Sequence, residues 1–400
     1  MQLGIVIGPR RTVYFYAAGP FLDLFWANQL PGLQSWLMFS RLNRPGVTAW
    51  ITAVFYFIFL VLMLNQHEPG TFPQAGDYFA DPTKTPANVV VLTDSFGYDG
   101  QYYYRLALNP FTHEKTEFGI EIGSPRYRHQ RIFYPLLAWL FSFGNPQLVI
   151  YSLILVNFTA LIMLGYAAGC YAKFVGRHAL LGLAFSFFPG FLYTLSRDLV
   201  EISEACLILW GLVTLAHKRT VIASGLFSLA ILAKETALLT AVSLISQKKY
   251  RVVAILPLAV YGIWQLFLNW WWGYGLAETT PKNIGRPFVG IVEGYLIGYE
   301  PIRWQIFAIF LAVFLIIIAI AIRYSAAQKY VKLSWLLYTI LLVSLTKNVW
   351  IESLAFLRAA SLFYLFGTAV LLQTKMRVAN ICLIGVMLTW LWLAANLLTA

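Results

Sequence analysis

Nine apolar runs, each close to the length of a bilayer crossing, fall at about 48–65, 147–170, 179–196, 199–216, 252–270, 303–322, 332–346, 355–372 and 377–396. A chain so patterned buries its backbone polar groups by forming helices within the membrane, and it predicts an all-α polytopic membrane protein. Composition agrees: 60% of the 400 residues are hydrophobic and only 12% charged, with a mean hydropathy of +0.69. That leaves too little polar surface to solvate a globular particle, which excludes a soluble enzyme, a nucleic-acid-binding domain and a disordered scaffold. Cys170, Cys206 and Cys382 all lie in apolar runs, so neither a disulfide framework nor a thiolate metal site is expected. The first long apolar run starts near residue 49, which argues against a cleavable signal peptide.

Two stretches are ambiguous, and charge arbitrates both. Residues 131–144 reach only about 21 Å as a helix, short of the roughly 30 Å hydrocarbon core. Residues 220–247 are long enough to cross but carry Lys234-Glu235 at their centre. If 131–144 lies flat at the interface and 220–247 is two short helices meeting at Lys234-Glu235, sixteen Lys/Arg gather on one face with a single acid, Asp23. These are Arg10, Arg11, Arg41, Arg44, Lys173, Arg177, Lys218, Arg219, Lys248, Lys249, Arg251, Arg323, Lys329, Lys332, Lys375 and Arg377. The positive-inside rule then favours about eleven transmembrane helices, with the N-terminus cytoplasmic and the C-terminus outside. The expected organisation is an N-terminal cytoplasmic or interfacial amphipathic segment over 1–47 followed by one transmembrane domain over 48–400. That domain carries outside loops at 66–130 and 271–302. Trp270, Trp271 and Trp272 open the second loop as an interfacial aromatic belt or, secondarily, a sugar-stacking platform.

Ionisable residues at membrane depth are costly and usually functional. The first loop holds Asp94 and the run Tyr98-Asp99-Gly100-Gln101-Tyr102-Tyr103-Tyr104-Arg105. Asp99 reads either as the cap of a helix beginning at Gln101 or as a carboxylate that accepts from sugar hydroxyls beside aromatic faces. The loop ends in Ser124-Pro125-Arg126-Tyr127-Arg128-His129-Gln130-Arg131, with three arginines against the charge bias of that face. They serve either lipid headgroups or the guanidinium forks of a phosphate site. Further along stand Arg197-Asp198 with Glu201 and Glu204, Lys234-Glu235, and Lys347, Glu352 and Arg358. Lys234, at the junction of two helices too short to cross, suits an anionic group in a buried cavity. His113 with Glu117 is a weak i, i+4 pair, so a divalent metal is possible but unsupported.

Three segments resemble a known family. Tyr98-Asp99-Gly100-Gln101-Tyr102-Tyr103-Tyr104-Arg105-Leu106-Ala107 resembles the first-loop motif of bacterial GT-C-fold membrane glycosyltransferases. The run 124–140 is similar to the loop end in that superfamily and to the mannosyltransferases of GPI-anchor assembly, and Leu232-Ala233-Lys234-Glu235-Thr236-Ala237-Leu238 resembles a turn common in these enzymes. The resemblance spans roughly 48–375, although its specific parts amount to about 35 residues. It implies a large first loop with interfacial helices and an essential carboxylate, and a polyprenyl-phosphate sugar donor used at the extracytoplasmic face of the inner (plasma) membrane. Two departures stand out: there is no tight Asp-x-Asp pair, and no soluble domain follows the last span.

A polyprenyl phosphate already leaves well, so an inverting transfer needs one base for the acceptor hydroxyl and cations for the departing phosphate. The expected base is Asp99, with Asp94 as its backup. Arg126, Arg128, Arg131, Lys234 and Arg358 are the expected donor-phosphate ligands, and Tyr98, Gln101, Tyr102, Glu201 and Glu235 the expected substrate-binding residues. No cofactor is expected, and the partners are the lipid-linked donor, a glycan or lipid acceptor and membrane lipids, with no nucleic acid. The alternatives are a transporter or flippase of lipid-linked sugars, which would show internal pseudo-symmetry, and an O-antigen ligase or polymerase, which usually places its large loop late.

Overall fold

In a computed structural model of the chain, residues 3–7, 13–17, 41–273, 283–298, 300–375 and 377–399 are described. The chain divides into two units, Met1–Arg44 and Pro45–Ala400. In the first, β1 (Leu3–Ile7) and β2 (Val13–Ala17) pair antiparallel, with Leu3 opposite Ala17. Within the expected interfacial segment these residues are strands, which the β-branched and aromatic side chains in LGIVI and VYFYA favour. The apolar 20–39 stretch lies outside the described residues, and the boundary falls at Arg44 rather than 47 because Pro45 begins a helix.

The second unit is helical, with short two-stranded ladders in its first loop. Its elements open with α1 (Pro45–Gln66), β3 (Ala75–Gly76), β4 (Val91–Leu92), α2 (Gly100–Leu108), β5 (Thr116–Glu117), β6 (Ile120–Glu121), α3 (Pro125–His129), α4 (Phe133–Ser142) and α5 (Pro146–Phe174). There follow α6 (Leu183–Ser186), α7 (Gly190–Ser196), α8 (Glu201–Ala216), α9 (Thr220–Ala233), α10 (Leu238–Leu244) and α11 (Arg251–Trp272). The last are α12 (Val289–Ile297), α13 (Pro301–Ala321), α14 (Lys329–Val343), α15 (Lys347–Trp350), α16 (Ser353–Ala359), α17 (Ser361–Leu372) and α18 (Arg377–Thr399).

Four helices are singly long and apolar enough to cross a membrane, Pro45–Gln66, Pro146–Phe174, Lys248–Trp272 and Pro301–Ala321, which is compatible with a multi-pass membrane protein. Two bent pairs raise that number to six: Ala179–Ser186 with Gly190–Ser196 at 55°, and Ser353–Ala359 with Ser361–Leu372 at 51°. The sequence predicts about eleven crossings; among the described residues the further apolar helices, such as Thr220–Ala233, Glu235–Leu244 and Ile384–Leu398, are shorter than a crossing. The run 220–247 is interrupted where expected. Lys234 is extended (φ −158°, ψ 133°) between α9 and a single 3₁₀ turn leading into α10.

Close packing explains where the longest helix goes. Asn145 caps α5 by accepting from the Gln147 N–H at 3.0 Å, and Pro146 occupies the first turn, where its missing donor costs nothing. Gly165 and Gly169, one turn apart, face α1: a Cβ on either would collide with Thr52 or Thr48. The Thr48 hydroxyl donates to the Gly165 carbonyl at 2.8 Å across this contact. Small residues at this spacing bring two membrane helices together, where lipid gives no hydrophobic drive.

The 66–130 loop is itself folded. β3 and β4 pair in parallel, β5 and β6 form a hairpin, and every residue of α2 is buried. The amphipathic α2 packs on α4 and α5, so the loop is pinned onto the helical body rather than left in solvent. The tryptophan triplet divides its work. Trp270 is 73% exposed, whereas the Trp271 indole donates to the Thr112 carbonyl at 2.9 Å and the Trp272 indole to His129 Nδ1 at 3.1 Å. Burial lowers the His129 pKa to about 4. With Nδ1 accepting, Nε2 carries the proton and donates to the Pro110 carbonyl at 2.9 Å, so this histidine ties the first loop to the end of α11 as a neutral ring.

Candidate functional site

The turn entering α2 is fixed from both sides. A Cβ on Gly100 would strike the carbonyls of Arg197 and Pro73, so only glycine lets this turn lie against the segment leading into α8. Asp99, the preceding residue, is thereby set beside the helices. Its side chain makes no cap hydrogen bond, and α2 begins at Gly100 rather than Gln101. The carboxylate instead takes Arg128 on Oδ1 and Arg358 Nη2 on Oδ2, the latter at 3.0 Å. Burial would raise the Asp99 pKa, but the charges of Arg128, Arg358 and Arg131 outweigh it and hold the carboxyl well below the ordinary carboxylate range.

From Asp99 an alternating chain of charge runs inward. Arg358 Nη1 reaches Glu201 Oε1 at 2.6 Å, and Lys234 Nζ reaches the same oxygen at 3.0 Å. The interrupted helix is what allows this: with α9 ended at Ala233, the Lys234 side chain meets α8 instead of continuing a helical face. Beside it, Arg131 grips Glu235 with both ends of its fork, at 2.6 and 2.8 Å, and also donates to the Tyr103 and Tyr127 hydroxyls. Tyrosine rings lie against the guanidiniums: Tyr102 at 4.3 Å from Arg128, Tyr127 at 4.7 Å from Arg131, and Tyr98 at 5.1 Å from Arg358. Such pairing lets cations sit at low exposure without isolation.

These groups line a cavity of about 830 Å³. Its charged wall carries Asp99, Arg128, Arg131, Glu201, Lys234, Glu235, Glu352 and Arg358, four acids and four bases. Its opposite chemistry is aliphatic: Leu238 and Leu239 from α10, Leu341 from α14, then Leu345 and Val349. First loop, α8, the break after α9, and α16 thus each deliver charge to one space.

Eight sequence-predicted residues line this cavity: Tyr98, Asp99, Arg128, Arg131, Glu201, Lys234, Glu235 and Arg358. Four do not. Asp94 is exposed in a left-handed turn (φ 50°), its N–H donating to Asp77 Oδ2 at 2.9 Å, and it does not line the cavity. Gln101 is fully buried with both ends used, accepting from Gly76 N at 3.2 Å and donating to Phe96 O at 2.9 Å, which makes it a staple of the loop. Tyr102 lies beneath Arg128 and against Phe79. Arg126 donates to Gln265 Oε1 on α11 at 3.0 Å. Tyr103, Tyr193, Asn348 and Glu352 were not among the predicted site residues. Two of them carry a sequence signal: Tyr103 lies in the tyrosine run after Asp99, and Glu352 is an acid at the outer start of a span near Lys347 and Arg358.

Among the described residues, no group of three or more His, Cys, Asp or Glu side chains is arranged to hold a metal ion. His113 and Glu117 part company, the imidazole meeting the Trp271 carbonyl and the carboxylate meeting Arg105. Cys170 and Cys206 are free thiols, and the Cys382 side chain lies outside the described residues. No protein-family model, curated protein or solved structure matches this chain.

Proposed function

We propose that this chain is a GT-C-type membrane glycosyltransferase that moves a sugar from a polyprenyl-phosphate donor to an acceptor hydroxyl, with inversion at the anomeric carbon. The supporting observation is a cavity lined both by Arg128, Arg131, Lys234 and Arg358 and by leucines of α10 and α14. A polyprenyl-phosphate sugar carries the same sequence of chemistries: an aliphatic chain, a phosphate and a polar ring. Val242, one turn beyond Leu238, is 41% exposed and continues the apolar face.

In this reaction the acceptor oxygen attacks the anomeric carbon while its proton passes to Asp99. The carbon–oxygen bond to phosphate breaks with its electron pair kept by the phosphate, and the cations stabilise that charge. A carboxylate clamped by Arg128 and Arg358 is a weak base. The donor phosphate competes for the same guanidiniums, and its negative charge raises the proton affinity of Asp99 in the complex.

The finer topology belongs to the same proposal: about eleven crossings of the plasma (inner) membrane, N-terminus cytoplasmic, catalysis at the extracytoplasmic face. Single cysteines placed at Lys218 and Lys249, in a background without the native thiols, are expected to be labelled from the cytoplasm only. Labelling from opposite faces overturns the arrangement.

Transport of lipid-linked sugars is the second reading, favoured by the interrupted helix at Lys234. Incubating purified protein with radiolabelled polyprenyl-phosphate sugars and acceptors separates the two. Label moved to an acceptor supports the transferase, and binding without transfer across the whole panel favours the transporter.

A further inference from the structure

Seven of the eight charged side chains lining the cavity are joined in ion pairs, and Glu352 is the eighth. Among the described residues, no cation lies within ion-pair distance of it. Its Oε1 accepts from the Tyr193 hydroxyl at 2.6 Å. Tyr193 stands edge-on to Tyr98 at 5.6 Å, and Tyr98 in turn accepts from Arg358 Nε at 3.1 Å. Glu352 is therefore linked to Arg358 through the Tyr193–Tyr98 pair rather than by an ion pair, and it lines the cavity together with Asn348 and Val349.

A carboxylate without a cation repels phosphate, so Glu352 is unsuited to the leaving group. It is suited to a hydrogen-bond donor, and the amide of Asn348 and the faces of tyrosine rings complete a lining for a polar ring. We infer that Glu352 is a specificity-determining residue that reads a hydroxyl or amino substituent of the transferred sugar, aligned for that task by Tyr193. This inference rests on the glycosyltransferase reading. A site built to bond such a substituent discriminates against analogues that lack it, because the half-buried carboxylate then loses that partner.

The test compares wild type, Glu352→Gln and Tyr193→Phe in lipid nanodiscs. Bare polyprenyl monophosphate is the binding probe, and a panel of polyprenyl-phosphate hexoses, pentoses and amino sugars provides the donors. Glu352→Gln is expected to lower kcat/KM for the preferred donor by about 10- to 100-fold, as for loss of a charge-assisted hydrogen bond. Affinity for bare polyprenyl monophosphate and the acceptor KM are expected to stay at wild-type values, and the ranking among donors is expected to flatten. Tyr193→Phe shifts the same ranking in the same direction by less. A loss confined to amino sugars identifies an ammonium as the group read, whereas a loss across hydroxylated donors identifies a hydroxyl. An unchanged ranking in an active Glu352→Gln protein overturns the assignment while leaving the transferase reading intact. A wild-type protein that binds polyprenyl monophosphate but transfers no sugar overturns the transferase reading and this inference with it.

Discussion

The first loop contains two arginine–carboxylate pairs that look alike in sequence and differ in what surrounds them. Arg105, on α2, is fully buried and pairs with Glu117, which Asn109 and Thr112 also hold by hydrogen bonds at 3.1 and 2.9 Å. Its Nε and Nη1 have no hydrogen-bond partner among the described residues, and it lines no part of the cavity. Asp99, six residues earlier, is shared by two guanidiniums from distant elements and opens on the cavity with a side chain 19% exposed. The Arg105 cluster closes on itself within thirteen residues of chain, whereas the Asp99 cluster joins the first loop to α16 and, through Arg358, to α8. An ion pair alone therefore says little about function. Two guanidiniums sharing one carboxylate beside open space is the arrangement that the proposed exchange with a donor phosphate requires.

The largest expected effect sits at Asp99. Asp99→Asn keeps the shape and removes the proton acceptor, so turnover is expected to fall at least about 10²-fold, the lower end of a positioned base's contribution. Donor binding is expected to be no weaker than wild type, because Arg128 and Arg358 lose a competing charge. Wild-type turnover in this variant would remove Asp99 from the chemistry and erase the contrast with Glu117. Next come the cations: Arg128→Ala, Lys234→Ala and Arg358→Ala are each expected to weaken donor binding by about 1.5–3 kcal/mol, roughly 10- to 150-fold. Titration with polyprenyl monophosphate measures this. Unchanged affinity in all three would mean that these cations only balance their carboxylates, as Arg105 does.

Arg105→Met breaks the other cluster and sharpens the comparison from the opposite side. Removing one partner of a buried pair strands the second, although Glu117, 30% exposed, keeps some access to water. A loss of about 1–3 kcal/mol in unfolding free energy is therefore expected, read as a lower Tm, with donor affinity of the folded protein unchanged. Weakened donor binding in a protein of wild-type Tm would place Arg105 in the site after all.

How much of this was readable in the sequence follows from how far each signal reaches along the chain. The interruption at Lys234 was readable because basic clusters at Lys218-Arg219 and Lys248-Lys249 demand an even number of crossings between them. Arg128, Arg131, Lys234 and Arg358 stood out as charge in apolar surroundings. The sequence ranks Asp99 above Asp94 by its neighbours but does not place either one, since their positions are set by the jammed glycine at Gly100 and by Arg358, which lies 259 residues away. Gln101 looked like a ligand-binding amide because its partners are backbone groups of Gly76 and Phe96, which leave no trace in side-chain type. The loop's two-residue ladders are too short to show any periodicity.

The smallest expected effect is a displacement along the pH axis, and it tests whether the Asp99 clamp is exchanged with donor. The free protein holds Asp99 ionised by Arg128 and Arg358, with its pKa below the usual carboxylate range. The stabilisation that clamp supplies is accordingly present above the ordinary carboxylate pKa of about 4, and is lost only as the pH falls through the lowered value. Since kcat/KM reports the free enzyme, its acid limb should lie below that ordinary range, leaving the neutral region flat for this group. Once the donor phosphate shares the two guanidiniums, the added negative charge favours the protonated carboxyl, so the acid limb of kcat should lie at higher pH than that of kcat/KM. Glu117, whose partners no ligand approaches, should give no such displacement when its own titration is followed with and without polyprenyl monophosphate. Coincident limbs in kcat and kcat/KM would show that donor binding leaves the Asp99 ion pairs intact. The base would then have to be a carboxylate free of cations, and Glu352 is the cavity residue of that kind among those described.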